Sequence, residues 1–153
     1  KSPDRMEWLA EKATELGVTR LIPVITERCE KKQIQLNRLQ RVVTAAAKQC
    51  QRPRIPEILP VTALQKLPLS DYENSLKLIG VCFGERKPLL ELAPEWKNAD
   101  SLILTGPEGD FTDSELIWAQ NQGFHAVSIG EMRLRAETAG MMFLASRKLI
   151  QEF

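Results

Sequence analysis

An α/β fold with a mainly parallel sheet is predicted by three observations. Short and almost purely apolar runs, Leu76 to Phe83, Ser101 to Thr105 and His125 to Ile129, read as strands covered on both faces. Segments of helical period alternate with these runs. The capping-box sequence Thr112-Asp113-Ser114-Glu115 opens one such segment soon after the second run. Strands and helices alternating at this spacing point to βα units.

In chain order, Ser2-Pro3 is an N-cap and first helical position, and Met6, Leu9, Ala13 and Leu16 follow at helical spacing until Gly17 stops the helix. Leu21 to Ile25 reads as a short buried strand, with Pro23 suited to an edge or bulge. From Asn37 a helix carrying Leu39, Val42, Val43, Ala46, Ala47 and Cys50 runs to about Gln51, where Pro53, Pro56 and Pro60 forbid continuation. Thr62 to Leu67 is expected as a short helix and Tyr72 to Ser75 as a loop. The capped helix ends at Gly123, and a last helix spans Ala136 to Gln151.

With 153 residues, 43% of them hydrophobic and 27% charged, the chain fits one domain that buries its core without staples. Three separated cysteines, Cys29, Cys50 and Cys82, support neither a disulfide framework nor a metal knuckle. No apolar run approaches the roughly 20 residues that cross a bilayer, and the N-terminus lacks a signal-peptide core. The expectation is a cytoplasmic protein with no membrane and no metal. Because the chain starts at Lys1, it is expected to be an excised piece whose missing part is N-terminal.

His125 is the only histidine and lies in an apolar strand, so a catalytic triad or histidine-rich metal site has little support; a sheet or core role is expected. There is no GxxxxGK[ST] and no GxGxxG. Two strand-to-helix loops remain. In Thr105-Gly106-Pro107-Glu108-Gly109-Asp110-Phe111, glycines permit a sharp turn and close approach to a ligand, although the same residues suit a plain βα turn. In Ile129-Gly130-Glu131-Met132-Arg133-Leu134-Arg135-Ala136-Glu137-Thr138-Ala139, two arginines precede a helix start, where amides are free; a weak surface pair of Arg135 and Glu137 is the plainer alternative. Both loops follow the carboxyl ends of candidate strands, where open α/β sheets bind ligands.

GPEGDFTDSE followed by IGEMRLRAETAG resembles the paired signature of the ribosomal RNA small subunit methyltransferase E family. This family belongs to the SPOUT class of knotted methyltransferases and methylates uridine N3 in 16S ribosomal RNA with S-adenosylmethionine. EWLAEKATELGVTRLIPVITER and AAAKQCQRPRIPEI are similar to the family too, so the resemblance covers nearly the whole chain, residues 1–153. The family commonly has glycine at the position of Asp110 and arginine at that of Met132. Its small N-terminal, PUA-like RNA-binding barrel is expected to lie outside this chain.

The resemblance implies a C-terminal trefoil knot and three loops that cradle S-adenosylmethionine. Thr105, Gly106, Pro107, Glu108, Gly109, Ile129, Gly130, Leu134, Arg135 and Thr138 are the implied cofactor contacts, with Phe83 and Gly84 contributing. Methylating uracil N3 requires an acceptor for its proton and stabilisation of charge on O2 and O4. Arg135 suits the second task, and Glu137 or Glu108 the first, although Glu108 can instead organise its loop. Arg28 to Arg54 holds eight basic residues against one acid, Glu30, which suits a phosphate backbone, or else a solvated basic helix face. Arg28, Lys31, Lys32, Arg52, Arg54 and Arg133 are the expected contacts to ribosomal RNA in the small subunit. A homodimer is expected through Met6, Trp8, Leu9, Met142, Phe143 and Ile150. Another RNA base, a ribose 2′-hydroxyl target or a catalytically silent RNA-binding module are the alternatives.

Overall fold

A computed structural model describes residues 3–29 and 34–152. Its centre is a four-stranded, wholly parallel sheet of β5 (Leu76–Gly80), β6 (Lys87–Pro88), β7 (Ser101–Thr105) and β8 (Phe124–Ser128), in the order β6-β8-β5-β7. Leu76 to Gly80 pair with Ser101 to Thr105 on one side, and Lys77 to Gly80 with Phe124 to Val127 on the other.

Both faces of β5, β7 and β8 carry buried or half-buried side chains, which is why these strands read as largely apolar runs. Ile79, Leu102, Leu104 and Phe124 pack with Phe111 and with Ala119 of α4 (Asp113–Asn121). Leu76, Leu78 and Val127 turn the other way, onto Trp96 of α3 (Ala93–Asn98) and Phe143 of α5 (Ala136–Glu152). The alternation of Leu76 and Leu78 with Ile79 is the period of two expected of a strand. At Gly80 the sheet and α5 nearly touch: a Cβ there would lie 2.7 Å from the fully buried Phe143 ring. Arg147, further along α5, donates to the carbonyl oxygens of Trp96, Lys97 and Ala99 and so closes the carboxyl end of α3. Burial lowers the proton affinity of that guanidinium from its ordinary value, with Asp100 partly offsetting the effect.

The N-terminal part carries α1 (Pro3–Glu15) and α2 (Leu36–Gln49), which share an apolar seam of Ala10, Leu39 and Val43; α1 also packs on α5. The strand expected over Leu21 to Ile25 is two short pieces, β1 (Arg20–Leu21) and β2 (Val24–Ile25), interrupted at Pro23, which has no N–H for a ladder. They pair in parallel with β3 (Glu57–Ile58) and β4 (Thr62–Ala63). The helix expected from Thr62 is therefore β4 followed by a single 3₁₀ turn, Leu64–Lys66. Tyr72, expected in a loop, closes a 3₁₀ turn over Leu69–Tyr72. His125 lies in the sheet as expected but is exposed, so a core role does not hold.

The route from β5 to β6 sets up the site. Gly80 and Lys87 both register with Val127, so residues 81–86 leave β5 and enter β6 at one level, stepping across the carboxyl end of β8. The strand expected to reach Phe83 ends at Gly80; beyond it the Val81 amide bonds to Val127 O and the Cys82 amide turns to Asp110.

Candidate cofactor cleft

Because β7, β5 and β8 are adjacent and parallel, their following loops, 81–86, 106–112 and 129–135, emerge at the same edge of the sheet. They enclose a cleft. Gly80 to Phe83 line one side, Thr105 to Pro107 and Asp110 a second, and Val127, Ile129 to Leu134, Ala136 and Ala139 the third. Gly130 has φ 122°, a conformation that side chains disfavour, so the third loop requires glycine there.

The loops are bound to one another by polar contacts. Asp110 sits at φ 61°, in the left-handed region; its Oδ1 accepts from the Phe111 amide and its Oδ2 from the Cys82 amide, both at 2.9 Å. That second contact joins the loop after β7 to the loop after β5. Arg133 donates to the Glu108 carbonyl oxygen, joining the loop after β8 to the same segment. From outside, Arg28 donates to Gly109 O at 2.7 Å and Phe111 O at 3.1 Å. Glu115, fully buried in α4, accepts from the Thr112 amide at 2.9 Å and from the Glu27 amide at 2.8 Å, so the capping box also anchors the segment after β2. Burial and the Asp110 carboxylate push the Cys82 thiol up, which keeps that wall of the cleft uncharged.

Phe83, Thr105, Gly106, Pro107, Ile129, Gly130 and Leu134, expected around the cofactor, all line the cleft. Gly84, Glu108, Gly109, Arg135 and Thr138 do not; they lie in the same loops or the first turn of α5. Arg133, expected on RNA, is the arginine of that loop that lines the cleft, whereas Arg135 is exposed beside it and its guanidinium has no partner among the described residues. Glu137 is held by Arg5 of α1 at 3.7 Å, and the same guanidinium bonds Glu108 at 2.5 Å.

The expected RNA contacts divide. Arg54 is exposed, Arg28 is exposed but committed to the Gly109 and Phe111 carbonyls, and Lys31 and Lys32 lie outside the described residues. Arg52 is occupied otherwise: it donates to Thr14 O and Val18 O at 2.8 Å and to Gly17 O at 3.4 Å, satisfying carbonyls at the end of α1. Of the expected dimer residues, Met6, Trp8 and Met142 are partly exposed, whereas Phe143 is buried in the chain's own core, Ile150 packs against that core and Leu9 contacts Gly140. Sequence reasoning missed Arg5, Cys82 and the bridging role of Asp110. Only Asp110 carried a signal, as a non-glycine residue at a family glycine position.

Among the described residues no group of three His, Cys, Asp or Glu side chains is placed to hold a metal ion, and no helix is long and apolar enough to cross a membrane.

The chain matches the RNA methyltransferase domain family over residues 1–148. It is 31% identical over 148 residues to ribosomal RNA small subunit methyltransferase E of Rickettsia conorii, covering 96% of this chain and 60% of that protein. It is 36% identical over 151 residues to the Synechocystis protein of the same name, covering 95% and 50%. The chain thus spans about half to three-fifths of the length of these curated relatives. A probable rRNA methyltransferase from Porphyromonas gingivalis superimposes with a TM-score of 0.87 at 32% identity, covering 99% of this chain and 64% of that one. The ribosomal RNA small subunit methyltransferase E of Neisseria gonorrhoeae, solved bound to S-adenosyl methionine, gives 0.85 at 33%, covering 97% and 62%. These matches bear out the resemblance carried by the two loop motifs and the SPOUT-type α/β architecture, and the chain belongs to the RNA methyltransferase domain family.

Proposed function

We propose that the three-loop cleft binds S-adenosylmethionine and that the chain transfers its methyl group to N3 of a uridine in small-subunit ribosomal RNA. The convergence of three parallel-strand loops on one cleft carries this reading. The lining suits the cofactor: Val81, Val127, Ile129, Leu134, Ala136 and Ala139 offer apolar surface to a purine. The amides of Met132 and Leu134 have no hydrogen-bond partner among the described residues, leaving donors for polar edges. Two relatives solved with this cofactor share the fold, the second being a Legionella pneumophila protein with a TM-score of 0.86 and 30% identity.

When bound, the cofactor supplies a methyl group activated by a sulfonium. Uracil N3 must give up its proton for the N3–carbon bond to form as the sulfur–carbon bond breaks, and until that bond is made the negative charge left by the proton spreads over O2 and O4. Arg135 is the proposed donor to one of those oxygens, because Arg133 is already committed to Glu108 O while Arg135 is uncommitted. Glu137, with a side chain only 16% exposed, is the proposed proton acceptor: one carboxylate oxygen faces Arg5 and the other has no partner among the described residues. Glu108, bonded to Arg5, organises its loop. The chain's rigid ties between loops serve positioning, the main lever for an in-line displacement.

The reading extends to a two-fold dimer through the exposed Met6, Trp8 and Met142, and to a cytoplasmic setting. Nucleoside mass spectrometry of undermethylated small-subunit RNA incubated with the protein and cofactor tests the assignment. N3-methyluridine is the expected product. A different methylated nucleoside moves the target, and no product with demonstrable RNA binding reduces the chain to a binding module.

A further inference from the structure

The rim of the cleft carries a feature that methyl transfer from the cofactor does not use. Phe83, in the loop after β5, is 65% exposed, and Met132, in the loop after β8, is 82% exposed; both line the cleft. The Arg133 guanidinium carbon lies 5.9 Å from the centroid of the Phe83 ring while Arg133 also bonds Glu108 O. Arg86, in the same loop as Phe83, donates to Gly84 O at 3.2 Å. A large aromatic ring left in water is unfavourable unless something covers it. Here its orientation is supported by a guanidinium that is itself anchored.

We propose that Phe83, backed by Arg133, is a stacking platform for a nucleobase of single-stranded RNA adjoining the methylated residue. This rests on the RNA substrate class proposed above. An aromatic ring interleaved with arginines suits a nucleic acid: the π face takes a base of any sequence, and Arg86, Arg133 and Arg135 outnumber Glu85 and Glu131 in the two loops, favouring phosphates. The position favours this occupant as well. Phe83 lines the cleft and is also 65% exposed, so a neighbour stacked on it would hold the strand beside the cleft. The family resemblance implied that Phe83 contributes to the cofactor site; with the residue 65% exposed, its ring is better placed for the incoming strand.

The test uses the chain itself with a fluorescently labelled, uridine-rich single-stranded RNA oligonucleotide, comparing Phe83→Ala and Phe83→Trp with the parent. Anisotropy titrations across a salt series give RNA affinity, and calorimetry gives S-adenosylmethionine affinity. The expected result is an about tenfold loss of RNA affinity in Phe83→Ala, with an unchanged slope of log affinity against log salt, since stacking releases no counterions. Phe83→Trp should recover affinity, and the loss of RNA affinity in Phe83→Ala should exceed any loss of cofactor affinity. The melting temperature checks that the exposed substitution leaves the fold intact. RNA affinity equal to the parent's in Phe83→Ala, a loss confined to cofactor binding, a change in oligomeric state without a change in RNA affinity, or no RNA binding by the parent at low salt would each overturn the platform. A parent that binds the oligonucleotide through Phe83 but yields no methylated nucleoside overturns the enzymatic reading alone.

Discussion

Arg5 Nη1 lies 2.5 Å from Glu108 Oε1, and the Nε of the same guanidinium lies 3.7 Å from Glu137 Oε1. One side chain of α1 thereby fixes the loop after β7 relative to the first turn of α5. These are the two segments that supply the proposed loop organiser and proton acceptor. The pairs are partly exposed, so their contribution to stability is small, below about 1 kcal/mol each. Their effect lies in position.

Arg5→Ala should therefore leave the melting temperature nearly unchanged while lowering the single-turnover methylation rate by about tenfold, the scale of misplacing a reacting group. Arg5→Lys should recover only part of the rate, because a single ammonium does not reproduce a guanidinium bonded to two acids. Single-turnover kinetics alongside thermal melts separates this from a loss of folding.

Asp110→Gly sets two effects against each other. Relief of the left-handed backbone gains about 1 kcal/mol, whereas the lost acceptor to the Cys82 and Phe111 amides costs about 1.5–3 kcal/mol per charge-assisted bond. The bonds win. Urea denaturation should show a net destabilisation of about 2–5 kcal/mol, and cofactor affinity should fall because the loops after β5 and β7 are no longer joined.

Arg52 and Arg54 should behave differently although they are two residues apart. Arg52→Ala removes the donor that satisfies Thr14, Gly17 and Val18 carbonyls, and should cost about 2–3 kcal/mol of stability with little change in RNA affinity. Arg54→Ala should leave stability intact and reduce the slope of log RNA affinity against log salt by about 1. Denaturation curves and salt-dependent anisotropy distinguish the two.

Arg135→Ala should leave S-adenosylmethionine affinity within about twofold of the parent and cut methylation by about a hundredfold or more, the scale of losing one well-placed donor. Arg133→Ala should instead weaken cofactor binding, since it releases the Glu108 carbonyl that ties two loops. Calorimetry and methyl-transfer assays on both variants decide which arginine serves which purpose.

The central sheet was legible because burial on both faces leaves a largely apolar run, as in Leu76 to Gly80 with only Lys77 charged. The capped helix was legible because Thr112 and Glu115 satisfy each other's backbone amides at a fixed spacing. The pairs β1–β3 and β2–β4 were not, because two-residue strands among prolines hold too few residues for a period to show. The same shortness hid β6 and α3. At the site, the loops were found through their glycines and strand-end position. The ties between them were not, since Arg5 and Glu108 are 103 residues apart and nothing local marks an arginine as a bridge rather than a solvated charge. Arg52 misled for the same reason: a basic stretch shows charge, not which guanidinium the backbone has already claimed.

Cofactor binding in the three-loop cleft is tested most directly by calorimetric titration of S-adenosylmethionine into the chain, paired with Gly106→Val. A Cβ at Gly106 would lie 2.8 Å from the buried Phe111 ring, so the substitution must displace the ring or the loop that lines the cleft. The predicted result is a saturable heat with one site per chain, a ligand-dependent rise in melting temperature, and loss of both in Gly106→Val. Absence of heat and of any ligand-dependent rise in the parent chain would contradict the assignment of the cleft.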